Sequence, residues 1–148
     1  MSRSSEQIPE SIARVLRRFS AMDRNERMQA LVQYSRKLEP VPERYRDVDR
    51  SQFTVPECQT RVDIFPEIGD GLMHFYADVN VRQSPTVAAV LAIVFAAVND
   101  QPPEVTLGIP ADFVQTLMTG MGLNAREVGL NAMIVRLKRA AANAQSRE

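Results

Sequence analysis

Residues 61–79 read Arg61-Val62-Asp63-Ile64-Phe65-Pro66-Glu67-Ile68-Gly69-Asp70-Gly71-Leu72-Met73-His74-Phe75-Tyr76-Ala77-Asp78-Val79. Apolar and charged residues alternate through Arg61–Ile64, the period of a strand. Gly69-Asp70-Gly71 is a hairpin-turn cluster, because glycine and aspartate tolerate the left-handed backbone that tight turns need. On the return, Met73, Phe75, Ala77 and Val79 alternate with His74, Tyr76 and Asp78. The stretch predicts a β-hairpin with one face on a core and the other toward solvent. An isolated hairpin is marginally stable, so a further strand is expected, and Phe53-Thr54-Val55 is the best candidate for it.

Outward from the hairpin the period becomes helical. Ser84 and Pro85 open a helix, with Thr86 a further capping candidate, that runs to about Asn99. It is apolar almost all round from Val87 to Val98, as a central core helix must be. Twelve residues or so are too few to span a bilayer, which needs about 20. Upstream, Ile8, Ile12, Val15, Leu16, Phe19 and Met22 recur at helical spacing. Asp23 and Glu26 stand at capping-box spacing before a second helix, with Met28, Leu31, Val32, Ser35 and Leu38 as its inner stripe. Pro40 and Pro42 end it. Downstream, Pro102, Pro103 and Pro110 bracket a connector, and Asp112–Met118 reads as a short helix stopped near Gly120 and Gly122. A last helix follows from an Asn124 cap, with Glu127 at the capping-box position, to about Ala142. Arg136, Lys138 and Arg139 fall near its predicted C-terminal end, where cations favour the dipole. The order helix, helix, hairpin, helix, short helix, helix argues for an α+β fold, helices packed on one small antiparallel sheet of about three strands.

At 148 residues the chain reads as one domain, 1–148, with 1–7 and 143–148 expected to fray. Lys plus Arg and Asp plus Glu both number 18, so the zero net charge provides no field for gathering nucleic acid or anionic lipid. The N-terminal residues carry no apolar leader run, and one cysteine precludes an internal disulfide framework; both fit a reducing cytoplasm. No phosphate loop, HExxH pattern or Ser/His/Asp order appears. One cysteine and one histidine do not make a transition-metal site, and no cofactor is expected.

The chemistry-bearing candidates are few. Residues 39–58 form a long polar stretch with Pro40, Pro42 and Pro56 and charges of alternating sign; such a loop is often functional. It leads to Cys58 in Val55-Pro56-Glu57-Cys58-Gln59-Thr60-Arg61. Cys58 is either a small core filler or a thiol that does chemistry. Its polar neighbours favour the thiol. His74 is either a solvent-facing strand residue or, if it reaches Cys58, the base of a Cys–His enzyme; its placement toward the turn favours the former. Arg126 opposes the dipole in the first turn of the last helix. Gly129, costly inside a helix, points to close approach of another backbone segment.

These residues together resemble the SufE family, the sulfur acceptors of iron–sulfur cluster assembly. The resemblance lies in the Val55–Thr60 cysteine loop, in Phe75-Tyr76-Ala77-Asp78, in the apolar helix after Thr86, and in Leu123–Met133. The last carries an R-x-x-G-L-x-x-M pattern at Arg126, Gly129, Leu130 and Met133. It spans roughly Ile12 to Ala142. The resemblance implies an α+β fold with a three-stranded sheet and a role for Cys58 as a persulfide-forming acceptor. The donor it implies is a pyridoxal-phosphate-dependent, SufS-like cysteine desulfurase, which the acceptor stimulates. The recipient is an iron–sulfur scaffold. Asp78 and Arg126 match residues that position the cysteine loop. A lone thiol suits a carrier, since a second would discharge the persulfide as a disulfide. A monomer or weak dimer is expected, with Cys58 partly buried at rest. Glu57 stands where the family often has glycine, and Asp63 where it often has an aromatic. A non-catalytic adaptor that binds a desulfurase without using the thiol is the alternative.

Overall fold

The structure, a computed structural model, describes residues 8–122 and 124–146, with the backbone alone at 124–126. The fraying expected at 1–7 and 147–148 therefore lies outside the described residues, as do the side chains of Asn124 and Arg126. Helices α1 (Glu10–Ser20) and α2 (Arg24–Ser35) precede strands β1 (Val62–Gly69) and β2 (Leu72–Val79). Helices α3 (Pro85–Val98), α4 (Pro103–Leu107), α5 (Phe113–Leu117) and α6 (Asn124–Ser146) follow. The α+β class stands, with helices on a small antiparallel sheet.

The hairpin closes through Asp70 and Gly71, both left-handed (φ 54° and 77°), as a two-residue type I′ turn requires. Register pairs Val62 with Val79 and Gly69 with Leu72. Ile64, Met73, Phe75 and Ala77 thus face inward and are buried. They meet α3, with the Phe75 and Phe95 rings stacked 5.8 Å apart. The all-apolar α3 is buried along nearly its whole length, as its composition demands.

The expected third strand is reduced to one bridge. Val55 N–H donates to the Val62 carbonyl and Ile64 N–H to the Phe53 carbonyl, both at 2.9 Å, around a Thr54–Asp63 pair. Two residues beyond Ile64, the next position on that edge of β1 is Pro66, which has no N–H to donate, so the ladder has nothing to continue with. The outer edge of β2 is also covered. Met73 exchanges backbone bonds with Asp100 and Gln101, and the Asn99 side chain bonds both the N–H and the carbonyl of Phe75.

Other departures have local causes. The Asp23–Glu26 capping box forms as read. However, α2 is rolled so that Ala30, Leu31 and Ser35 are buried, leaving Met28 and Val32 exposed. Five residues of the proline-bracketed connector are helical (α4), with Pro103 in the first turn, where proline fits. Helix α6 extends past the expected end near Ala142 to Ser146, with Ala144 buried and Gln145 bonded to Glu104 at 2.7 Å. Arg136, Lys138 and Arg139 are consequently mid-helix, not at a C-terminal dipole.

The outer face of the hairpin is not open to solvent. Residues 39–54 cross it as a strap with two 3₁₀ turns, Glu43–Tyr45 and Arg50–Gln52. Phe65, on that face, is fully buried: Tyr45 stacks on it at 4.4 Å and Phe53 lies at 4.8 Å. Arg44 Nε and the Tyr45 hydroxyl donate to Glu67 at 2.8 and 2.7 Å. Burial raises the Glu67 carboxyl, but Tyr45 and Arg44 outweigh it and hold the group below its usual range. At the start of the strap, His74 lies between Glu39 (2.7 Å) and Asp100 (3.0 Å). Burial lowers the imidazole pKa, but the hydrogen bonds to Asp100 and Glu39 prevail, and the net direction is upward.

A histidine with a raised folded pKa stabilises fully below its unfolded value near 6.5, and that stabilisation is lost as pH rises through the folded value. In urea titrations the stability advantage of wild type over His74→Gln should therefore be full below about pH 6.5 and shrink as pH rises above it. An advantage that does not change with pH would show that the two carboxylates do not hold the ring protonated.

Candidate functional site

Cys58 ends a tight turn, Val55-Pro56-Glu57-Cys58, closed by a 3.3 Å bond from the Cys58 N–H to the Val55 carbonyl. Proline at the second position presets φ for such a turn. Glu57 follows with a φ outside the left-handed region. The turn therefore does not need glycine there, and Glu57 adds an exposed carboxylate without backbone strain. Cys58 itself is half-buried, as expected of a sheltered thiol. It opens on a cavity of about 250 Å³ shared with Glu57, Gln59, Thr60, Val87, Val128 and Gly129.

The base of this loop is held from several sides. The Asp63 carboxylate is only 2% exposed; it accepts from the Thr54 hydroxyl and pairs with Arg50 at 3.4 Å and Arg61 at 3.3 Å. A carboxylate taken out of water needs such partners. Arg50 also binds Asp78, the cross-strand neighbour of Asp63, so one guanidinium serves both acids. From α6, Arg136 donates to the carbonyls of Gln52 (3.0 Å) and Thr54 (2.9 Å). The buried Ser84 hydroxyl does not cap α3 but donates to the Thr60 hydroxyl at 2.7 Å. Finally, Gly129 of α6 lies against the cysteine: a Cβ there would stand 3.2 Å from Cys58 Cα and 3.4 Å from its Sγ. The segment whose approach Gly129 announced in the sequence is the Cys58 loop.

The residues singled out in the sequence are thus partly brought together. Cys58 and Gly129 touch; Asp78 joins the loop through Arg50. The Arg126 backbone lies in the first turn of α6, and its side chain is outside the described residues. His74 is not a partner of Cys58. Both its ring nitrogens are engaged by Glu39 and Asp100. It pairs with Glu67, five residues along β1 from Val62 and hence about 17 Å at 3.4 Å per residue. The Cys–His enzyme reading is overturned. Among the described residues, no group of three or more His, Cys, Asp or Glu is placed to hold a metal ion. Arg50, Asp63, Ser84 and Arg136 were missed, although a charge inside a strand at Asp63 was a usable sign.

The family model "SufE: Fe-S metabolism associated domain" matches residues 13–141. The chain belongs to the SufE family. It is 26% identical over 140 residues to the uncharacterized SufE-like proteins of two Mycobacterium tuberculosis strains, CDC 1551 / Oshkosh and H37Rv. Each alignment covers 89% of this chain and 92% of the relative. Its fold matches the solution structure of a hypothetical protein from Thermus thermophilus with a TM-score of 0.80 and 25% identity, covering 94% and 98% of the two chains. Membership associates this SufE-family protein with iron–sulfur metabolism. No helix among its described residues is long and apolar enough to cross a membrane.

If the Arg136 fork fixes the entry to the cysteine turn, Arg136→Ala should loosen it. Amide hydrogen exchange at Val55 and Cys58 should accelerate about tenfold, matching the roughly 1.5 kcal/mol typical of one hydrogen bond to a charged group. Exchange in α3 should not change. Equal protection of the turn in both proteins would remove Arg136 from the site.

Proposed function

We propose that the protein accepts sulfur from a pyridoxal-phosphate-dependent cysteine desulfurase onto Cys58 and relays it for iron–sulfur cluster assembly. The observation that carries this reading is a lone, half-buried thiol on a braced turn, open to a cavity large enough for an added sulfur. In the transfer, the Cys58 thiolate attacks the outer sulfur of a persulfide on the donor's cysteine. A new S–S bond forms at Cys58 Sγ. The donor's S–S bond breaks, and its cysteine leaves as a thiolate that takes up a proton in place of the one Cys58 released. Two thiol-level sulfurs and one sulfane sulfur enter and leave, so no external oxidant or reductant is needed. The second transfer repeats the exchange toward a scaffold's thiolate.

The absence of any other cysteine favours this role, since no neighbouring thiol in the chain discharges the persulfide. Partial shelter slows its loss to small thiols in solution. In this reading Asp78 acts by fixing Arg50, and so the strap that leads into the turn. Arg126, in the first turn of α6, is assigned the same task of positioning the loop. A reducing cytoplasm is the compartment in which such a thiol persists.

The test separates carrier from adaptor. A cysteine desulfurase is given cysteine, and alanine release is followed with wild type and with Cys58→Ser, while binding is measured independently. The carrier reading expects Cys58→Ser to bind but to lose stimulation almost entirely. Full stimulation by Cys58→Ser would establish an adaptor that does not use the thiol.

A further inference from the structure

Gly129 is a helical glycine with no left-handed backbone to justify it, so the reason for its missing side chain must lie in what it faces. It faces the turn that carries Cys58. A Cβ added there would come within 3.2 Å of Cys58 Cα, 3.4 Å of Sγ and 3.5 Å of the Glu57 carbonyl oxygen. The first of these distances is tighter than side chains ordinarily tolerate, and the neighbour it presses on is backbone. One side of the contact must therefore yield.

The two sides are unequal. On the helix side, Leu130, Met133, Ile134 and Leu137 are buried in the core, so α6 is anchored directly beside Gly129. On the loop side, the anchors lie at the base: Val55 to Val62, Thr54 to Asp63, and Thr60 to Ser84. The tip, Pro56 and Glu57, is exposed. The tip of the turn is the part that moves.

We propose that Gly129 is a positioning residue that sets the resting shelter of the Cys58 thiol: the missing Cβ lets α6 close over the cysteine, and any side chain there lifts the turn outward. The consequence for sulfur transfer rests on the carrier reading; the consequence for the thiol does not. Val128, beside it, is 69% exposed and forms the outer rim of the same cavity. On the α6 side, the wall of that cavity is thus one exposed valine and one glycine. Small changes at Gly129 pass directly to the thiol.

The experiment reads the thiol alone, with no partner present. Iodoacetamide alkylation of Cys58 is timed in wild type, Gly129→Ala and Gly129→Val, with Val135→Ala as a control. Val135 is an exposed α6 residue away from the cavity, so its variant changes helix propensity without touching the loop. Gly129→Ala itself favours the helix and is expected to fold with an undiminished melting temperature. Alkylation should rise several-fold in Gly129→Ala, further in Gly129→Val, and not in the control. If Gly129→Val fails to fold, Gly129→Ala decides. An alkylation rate in folded Gly129→Ala equal to wild type overturns the proposal. A desulfurase assay in which wild type accepts no sulfur would overturn the carrier reading and leave this result standing.

Discussion

A carboxylate that is almost wholly removed from water dictates much of this structure. Asp63 cannot be left alone in β1, because an unpaired buried charge costs several kcal/mol. Arg50, Arg61 and Thr54 converge on it. These are residues before and after the cysteine turn, so satisfying one acid ties together both arms of the loop. Arg50 extends the tie to Asp78 on β2. The strap upstream is fastened by the same logic. Its aromatic residues bury Phe65, and its charges pair with Glu67 and His74 on a face that alternation alone would leave wet. A long polar segment thereby becomes a fixed support.

The helix side completes the support. Arg136 reaches from α6 to two carbonyls of the strap, and Ser84 reaches from the start of α3 to Thr60. Between these holds the exposed tip of the turn, Pro56 and Glu57, lies beside Gly129. On the proposed carrier reading, a firmly held base with a yielding tip suits a thiol that must keep its geometry while sulfur changes hands. A rigid tip would prevent access, and a loose base would give up shelter.

What the sequence made legible was local. Period-two alternation located the hairpin, an all-apolar run located the core helix, and Asp23 with Glu26 announced a capping box that forms. Gly129 and Cys58 were each visible as anomalies against their surroundings. What was not legible depends on partners far apart in the chain. Arg50 meets acids 13 and 28 residues away, and Arg136 meets carbonyls more than 80 residues away. Helix periodicity gave α2 an inner stripe that included Met28 and Val32, whereas the roll of α2 against α3 exposes both. The third strand failed for a reason that was in the sequence, Pro66, but only pairing geometry shows which edge that proline faces.

The most direct test of the account is peptide mass spectrometry of the protein after incubation with a cysteine desulfurase and cysteine. The account predicts a peptide containing Cys58 that is heavier by one sulfur atom and returns to its original mass on reduction. An unmodified Cys58 peptide, under conditions in which the desulfurase itself carries a persulfide and the two proteins bind, would contradict it.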